Sequence, residues 1–539
     1  MSNYFIGIGG TGAKCGQSLI HLAAAGLLPA DTLHTLFIDV DENNGSLQKQ
    51  TLRVLDNYIK CHGLDRGNVC DIFKTPIKKA VPLIWSPLNT TDNPDMQTLF
   101  RYDTMRKKGD QQIGADLLDI LYSNKEKTTS LKLGFRGHPS IGAAVLANEI
   151  DLQKPPWDTL IGNIETETGG GNQVKIFICG SIFGGMGASG LPTIARIIRE
   201  RFKTKTNVFI SAGLILPYFT FDDTQLDNDK PNELHAYSSL FIPNAKVALG
   251  YYHTRKFSDT FNTIYVIGDE PRYKARRASL GGTDQENDPH FVELYAALAG
   301  RDFYQMQPDN FANFQNQNTR IGVIGRDNPM QNINNRQEPK SDIIWSDLST
   351  HGNCKDALLH LTRFSIAFRY FYSDVLPKID KTNKQYYPWY VDLLEKNNFD
   401  LSQNAQEKKK LDDYCEMFLK WVSYLHRTVQ NTKPITDRKG GHTTEDIIYF
   451  LRLVRDDIFA YYDIDAGVTL KDIDTFEKEN GQNRIASISS DIDSLVIDER
   501  SFHKIWDYVC KSTQAEQTTE FGIFVRALYD ACVYYQIKL

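Results

Sequence analysis

The sequence predicts an α/β fold built on a parallel β-sheet, followed by a mainly α-helical region. Two observations support this. Short, β-branched apolar runs alternate with helical patterns over residues 1–304, which is typical of parallel strands joined by crossover helices. Helical periodicity then replaces the alternation. We therefore expect an α/β domain at 1–304, a polar connection at 305–355 and a mainly helical domain at 356–539.

Composition limits the functional classes. The 539 residues are 41% hydrophobic and 24% charged, which is ordinary for a globular protein. The net charge of -6 predicts no nucleic-acid partner. No apolar run approaches the roughly 20 residues that span a bilayer, and the chain starts with a strand instead of a signal peptide. The eight cysteines include no Cys-x-x-Cys pair, which favours reduced thiols in a cytoplasmic protein.

The first glycine-rich loop follows a strand at residues 4–8 and precedes an amphipathic helix. It reads Gly7-Ile-Gly-Gly-Thr-Gly12, and a second strand, residues 35–41, then ends in two acids, Asp39 and Asp41. By itself this is the dinucleotide-binding fingerprint, with Asp39 as a ribose partner, and it would indicate an NAD-binding Rossmann oxidoreductase. The structural alternative is a tight strand–helix turn without a ligand.

Two further loops have the same form. The second loop, residues 133–142, carries Arg136, whose guanidinium matches phosphate oxygens, although an exposed loop arginine is the alternative. The third loop, residues 184–192, follows a strand at 176–178 and precedes a helix expected from Pro192. Glycines here would permit φ > 0 and close approach, and a helix N-terminus favours an anion. The three loops together predict a phosphate site.

The alternation continues to the end of this domain. Strands are predicted at 207–217 and 263–267, and a helix at 232–252. A further helix has its apolar part at 291–303, and Asp288 suits its N-cap and Pro289 its first helical position. Residues 305–340, rich in Asn and Gln, are expected to hold no packed core. Later helices are predicted at 357–375, 411–429, 444–461 and 521–535, with their aromatic residues in the core.

The order of these loops matches a known pattern. Lys132 to Gly142 is similar, without a gap, to Gly-Leu-Gly-Ala-Gly-Gly-Asn-Pro-Glu-Ile-Gly. Gly184 to Pro192 is similar to Gly-Gly-Thr-Gly-Thr-Gly-Ala-Ala-Pro, and Pro217 to Asp222 resembles Pro-Phe-x-Phe-Glu with one extra residue. With Gly7 to Gly12 and an acidic segment at 38–41, these residues resemble the tubulin/FtsZ superfamily of nucleotide-dependent filament proteins over about residues 3–303.

The resemblance implies a prokaryotic, tubulin-like GTPase that binds GTP or GDP with Mg²⁺ and self-associates head to tail into filaments. It implies that the first and third loops hold the α- and β-phosphates, the second loop senses the γ-phosphate, Asp222 approaches the ribose, and the start of the central helix faces the base. The implied nucleotide-binding residues are Gly9, Gly10, Thr11, Gly12, Asp39, Asp41, Gly134, Arg136, Gly137, His138, Gly184, Gly185, Met186, Gly187, Ala188, Ser189, Asp222, Asp269, Asn287, His290 and Phe291. No protein metal ligand is assigned.

The chain departs from the family pattern in several places. Met186 and Ala188 replace threonines, so only backbone amides remain there. The Asn that reads guanine in the family falls near Gly268 or Asp269; an Asp could accept from guanine N1–H and N2–H₂, which keeps guanine plausible and leaves adenine open. The catalytic loop is incomplete, with Asp347 as the candidate catalytic acid and Thr350 in place of the second acid. This predicts slow GTP hydrolysis at the subunit interface. Alternatively, the protein is a non-hydrolysing scaffold that recruits a partner protein through its helical C-terminal region.

Overall fold

The structure is a computed structural model that describes two compact units of the chain. It describes residues 2–41, 43–62, 72–88, 94–223, 236–255, 257–269, 273–275, 282, 287–307, 320–325, 332–333, 336–337, 343–344, 348, 354–370, 381–382 and 405–430, with single positions between 521 and 533. The sheet unit comprises Met1–Leu19, Asp31–Arg53 and Ile77–Leu348. The helical unit comprises Ile20–Ala30, Val54–Pro76 and Ser349–Leu539.

Eight of the described strands form one sheet, in which every neighbouring pair is parallel. They are β1 (Ser2–Ile8), β2 (Thr32–Ile38), β3 (Ile77–Trp85), β4 (Val174–Ser181), β5 (Val208–Ile215), β7 (Thr263–Ile267), β9 (Arg320–Gly325) and β12 (Ile343–Ile344). Two small pairs join β6 (Phe219–Thr220) to β8 (Tyr273–Lys274) and β10 (Asn332–Ile333) to β11 (Arg336–Gln337). The order is β12-β9-β7-β5-β4-β1-β2-β3. The predicted parallel α/β fold is confirmed.

The described helices connect these strands and continue beyond them. They are α1 (Gly9–Ala24), α2 (Leu52–Cys61), α3 (Met96–Leu99), α4 (Tyr102–Lys107), α5 (Gln112–Leu121), α6 (Asn124–Thr128), α7 (Pro139–Glu149), α8 (Trp157–Gly169), α9 (Gly185–Arg201), α10 (Phe241–Thr254), α11 (Phe291–Gln305), α12 (Cys354–Tyr370) and α13 (Ala405–Gln430). A π-helical turn at Ser46–Thr51 leads into α2. No described helix is long and apolar enough to cross a membrane.

The sheet is covered by helices on both faces. Phe177 of β4 packs against Phe303 and Tyr304 of α11, on one face. On β1, Ile8 pairs with Gly180 of β4 and lies against Gly190 of α9. Because Phe177 and Gly180 are an odd number of residues apart on one strand, their side-chain directions are opposite and the two helices cover opposite faces.

The C-terminus of α11 is held by a lysine from the middle of the sheet. Lys175 of β4 is 2% exposed, and its Nζ donates hydrogen bonds to the backbone oxygens of Tyr304 at 2.6 Å and Met306 at 2.7 Å. These carbonyls lie in the last turn of the helix or just after it, where carbonyls lack intrahelical donors. Lys175 therefore fixes one end of α11 while the loops at the other end form the site.

The core of the helical unit is aromatic and joins distant parts of the sequence. His21 Nδ1 lies 2.9 Å from the Tyr414 hydroxyl, and the His21 ring centroid is 4.6 Å from that of Trp421. Phe73 meets the Tyr414 ring edge-on at 4.8 Å. Burial lowers the pKa of His21 to about 3, so this imidazole is neutral at physiological pH. Residues that lie between β1 and β3 in sequence thus share one core with α13.

The structure differs from the sequence-based elements at three points. α11 begins at Phe291 with His290 as N-cap, because the His290 ring accepts from Val292 N and Glu293 accepts from His290 N; the prediction of Asp288 and Pro289 was wrong. α9 begins at Gly185, seven residues before the predicted start. Arg320–Gly325 forms β9 with Ile324 buried, inside the stretch expected to hold no packed core. The helix predicted at 444–461 lies outside the described residues.

Candidate functional site

The three glycine loops converge on one pocket in the sheet unit, at the carboxyl ends of β1, β2 and β4. The pocket has a volume of about 1150 Å³, including its open mouth. Residues from the loops are Gly9, Gly10 and Thr11, then Leu133, Gly134, Phe135, Arg136 and Gly137, then Ser181, Phe183, Gly184, Gly185, Met186 and Gly187. The remaining lining residues are Lys14, Asp39, Asp41, Asn44, Ser46, Phe219, Phe221, Ala236, Phe241 and Asn287. The carboxyl edge of a parallel sheet is where such folds bind ligands.

Two helices begin at this pocket, and a third begins just beyond it. α1 starts at Gly9 of the first loop and α9 at Gly185 of the third loop, and both residues line the pocket. α7 starts at Pro139, after the lining residue Gly137 and the N-cap His138, which does not line the pocket. The first amides of a helix have no intrahelical acceptor, and the helix dipole adds partial positive charge there. Such ends at one pocket favour the binding of an anion.

The loop glycines serve two different purposes. Gly9, Gly134 and Gly137 have φ of +69°, +94° and +77°, which side-chain-bearing residues rarely adopt. Gly185 and Gly187 are instead helical, and they are needed for space. A Cβ on Gly185 would lie 2.8 Å from Phe135 Cβ, and one on Gly187 would lie 2.2 Å from Ser181 O. The expectation of φ > 0 in the third loop was therefore wrong, and close approach is the reason for its glycines.

Arg136 supplies the cationic side chain of the second loop. It lines the pocket and is only 7% exposed, so the alternative of an exposed loop arginine was wrong. Its backbone has a φ of +50°, an uncommon left-handed conformation for a residue other than glycine. Such strain persists only where the surroundings enforce it, and it concentrates at functional sites. The loop thus places at the pocket an arginine, the residue type whose guanidinium can bind phosphate oxygens in bidentate fashion.

An acidic wall, formed by Asp39 and Asp41, lies beside the glycine loops. Asp39 is 6% exposed, and its Oδ1 accepts from Asp41 N at 3.2 Å. Asp41 accepts from Asn43 N at 3.2 Å and from Gly282 N at 2.5 Å. Among the described residues, no cluster of three or more His, Cys, Asp or Glu is placed to hold a metal ion. A Mg²⁺ ion fits this wall if phosphate and water oxygens supply most of its ligands, as it commonly prefers.

Asp39→Asn should remove part of the pH dependence of stability. Burial raises the pKa of Asp39 from 3.8 to about 7. Between these values the unfolded chain has lost a proton that the folded chain keeps, so the free energy of unfolding falls as pH rises. From about pH 5 to pH 7 the fall is about 2–3 kcal/mol, at about 1.4 kcal/mol per pKa unit. Urea unfolding should show this contribution in the wild type and not in Asp39→Asn; equal pH slopes would contradict it.

A buried polar network lies next to the first loop. Lys14, one helical turn after Gly10, forms an ion pair with Glu293 of α11, and both side chains are at most 4% exposed. The Tyr218 hydroxyl accepts from Lys14 Nζ at 3.2 Å and donates to Glu293 at 2.5 Å. Thr11 also hydrogen-bonds to Tyr218. Burial and the neighbouring Glu293 carboxylate raise the pKa of Tyr218 well above 10, so the hydroxyl keeps its proton.

Eight predicted site residues do not line the pocket. His290 and Phe291 are buried at the start of α11, with the His290 ring centroid 4.8 Å from that of Tyr218. Gly12 packs against Cys179 O, and Ser189 Oγ donates to Gly185 O within α9. The remaining four are His138, Ala188, Asp222 and Asp269. His138 Nδ1 lies 3.5 Å from Glu126 Oε1, and Asp222 Oδ2 lies 3.6 Å from Lys274 Nζ. Asp347 lies outside the described residues.

Other lining residues were missed in the sequence. Phe219 and Phe221 stand in the segment that resembles Pro-Phe-x-Phe-Glu, where only Asp222 was singled out. Lys14 could have been found from its position one helical turn after a phosphate loop. Phe183, Ala236 and Phe241 carry no comparable signal, because hydrophobic side chains near glycine loops usually belong to the core.

Comparisons with known proteins give distant structural likenesses. No family model and no curated protein matches the chain. One similar structure is a GTPγS-bound protofilament of CetZ2 from Haloferax volcanii, with 13% identity and a TM-score of 0.26 over 56% of this chain and 58% of that one. Another is CetZ from Methanosaeta thermophila strain DSM 6194, with 13% identity and a TM-score of 0.27 over 60% and 61%. The chain therefore spans less than two thirds of either structure, and likenesses this distant do not establish a function.

Proposed function

We propose that the sheet unit binds a nucleoside triphosphate, with GTP as the first candidate, in the pocket of the three glycine loops. The observation that carries this proposal is the convergence of three glycine loops on one pocket, two of them at the N-termini of α1 and α9. Arg136 adds a cationic residue to the lining, whereas Lys14, which also lines the pocket, is paired with Glu293. A triphosphate is the common ligand that needs several anion-binding loops at once, whereas a dinucleotide pyrophosphate uses one.

The acidic wall supports a role for Mg²⁺ in the same pocket. Asp39 and Asp41 would repel phosphate oxygens if both were ionised without a counterion. A divalent cation between these carboxylates and the phosphates removes the repulsion and supplies the charge neutralisation that phosphoryl chemistry requires. Asp41 is the better ligand of the two, because Asp39 keeps its proton until about pH 7.

The sequence resemblance extends the proposal to assembly. By analogy with the tubulin/FtsZ superfamily, the cytoplasmic protein self-associates head to tail into filaments, and one subunit completes the nucleotide site of the next. Asp347 is the candidate acid that orients the attacking water. Because Thr350 replaces the second acid, GTP hydrolysis is slow. The competing function is a scaffold that keeps its nucleotide and binds a partner protein through helices after residue 356.

The bound nucleotide can be identified directly. Purified protein is denatured, and the released small molecules are separated by chromatography. We expect GTP or GDP, whereas release of NAD would favour the Rossmann alternative. The proposal is refuted if no nucleotide is released from the purified protein and none is bound after GTP is added. Pelleting with GTP, GDP and a non-hydrolysable GTP analogue then tests assembly. A γ-phosphate-dependent pellet supports the filament function, whereas equal pelleting with all three supports the scaffold.

A further inference from the structure

The start of α11 offers little room for a base. The sequence resemblance assigns this place to the nucleotide base, through Asn287, His290 and Phe291. Asn287 lines the pocket, whereas His290 and Phe291 are at most 2% exposed and do not line it. Tyr218 packs on His290, and the Lys14–Glu293 ion pair closes the gap between α1 and α11. A base could enter here only if a buried ion pair were separated, which leaves charges unpaired in the interior.

A neighbouring part of the lining already has a surface that suits a base, and it adjoins Tyr218, whose ring centroid is 5.0 Å from that of Phe219. Four phenylalanines line it, namely Phe183, Phe219, Phe221 and Phe241, and we call them the aromatic wall. Phe241 holds them together, with ring centroids 4.7 Å from Phe183, 5.7 Å from Phe219 and 5.6 Å from Phe221. Phe183 and Phe241 are buried, whereas Phe219 and Phe221 are half-buried. The wall is therefore preformed and keeps accessible ring surface.

The aromatic wall adjoins the third glycine loop. Phe183 directly precedes Gly184, so the wall begins where the third loop begins. The acidic residues Asp39 and Asp41 form a different part of the lining. A nucleotide whose phosphates contact the helix N-termini can thus place its cation near the carboxylates and its base near the phenylalanines.

We propose that the aromatic wall, and not the buried His290 and Phe291, is the surface on which the base stacks, and that it binds a purine by the face of the ring. This inference rests on the proposed nucleotide function. Stacking on aromatic side chains tolerates different bases, because every base has a π-face. The larger face of a purine gives it an advantage over a pyrimidine, while guanine and adenine are not separated by stacking alone.

Isothermal titration of the full chain, freed of nucleotide, tests the subsite with GTP, UTP and inorganic tripolyphosphate. Phe219→Leu and Phe221→Leu keep an apolar side chain but remove the π-face. Each should weaken GTP binding about tenfold and reduce the preference of GTP over UTP, with tripolyphosphate binding unchanged. Phe100→Leu is the matched control, because Phe100 is half-buried in the same unit and does not line the pocket. It should bind all three probes as the wild type does.

The outcomes separate this inference from the nucleotide proposal. If tripolyphosphate binds and both pocket variants bind GTP as the wild type does, the base lies elsewhere and the subsite is refuted, while the phosphate site stands. If the wild type binds neither GTP nor tripolyphosphate, the nucleotide function itself is refuted. Thermal unfolding of each variant identifies one that misfolds, and the other pocket variant then decides.

Discussion

Gly185→Val should reduce GTP affinity about 100-fold or more, which corresponds to about 2.7 kcal/mol. Gly185 is the first residue of α9 and lines the pocket. Its new Cβ would lie 2.8 Å from Phe135 Cβ and 3.1 Å from Gly137 N, both in the second loop. These neighbours include backbone and cannot simply rotate away. The valine therefore separates two phosphate loops that must contact one ligand together.

The measurement is GTP titration of purified protein, with thermal unfolding to verify that the variant is folded. Gly162→Val is the matched control. Gly162 lies inside α8 of the same unit, and no heavy atom would be within 4 Å of its new Cβ. Because valine has a better helix propensity than glycine, this control should fold and bind GTP normally. A folded Gly185→Val protein with wild-type affinity would remove the site assignment.

Glu293→Ala should destabilise the sheet unit by about 3–5 kcal/mol, because it leaves the buried Lys14 ammonium without its counterion. Glu293 also accepts from the Tyr218 hydroxyl and from His290 N at the start of α11. The substitution therefore weakens both the ion pair and the N-cap of the helix. Urea unfolding monitored by circular dichroism gives the change in the free energy of unfolding.

Two comparisons isolate the charge. Lys14→Met combined with Glu293→Leu should recover about half of the loss, because no unpaired charge remains, although the hydrogen bond to His290 N stays absent. Glu200→Ala breaks the exposed pair of Glu200 with Lys203 and should cost about 0–1 kcal/mol. If Glu293→Ala costs no more than Glu200→Ala, the network does not stabilise the fold as described.

The sequence predicts what depends on local patterns. The glycine spacings identify all three loops, and buried β-branched runs identify the central strands β1, β4, β5 and β7, because both signals arise within a few residues. β9 was missed because its apolar residues, Ile321, Val323 and Ile324, stand in an Asn- and Gln-rich stretch. His290 was missed as an N-cap because Ser, Thr, Asp and Asn usually hold that position.

The site depends more on tertiary packing than the fold does. Lys14 and Tyr218 are 204 residues apart in sequence, and no periodicity relates them. Their contact with Glu293 fills the place that the family resemblance assigns to the base. The glycines of the third loop could be recognised, but their purpose could not. Only coordinates distinguish a glycine that needs a left-handed φ from one that has no room for a Cβ.

The core around His21 has a consequence for how the chain is made. The His21 imidazole contacts Tyr414, which is 393 residues further along the chain. Most of the protein must therefore be synthesised before this hydrophobic cluster can form. For the same reason, a protein truncated before Ser349 should not be a stable fragment. It would keep Ile20–Ala30 and Val54–Pro76 but lose the residues of the helical unit against which they pack.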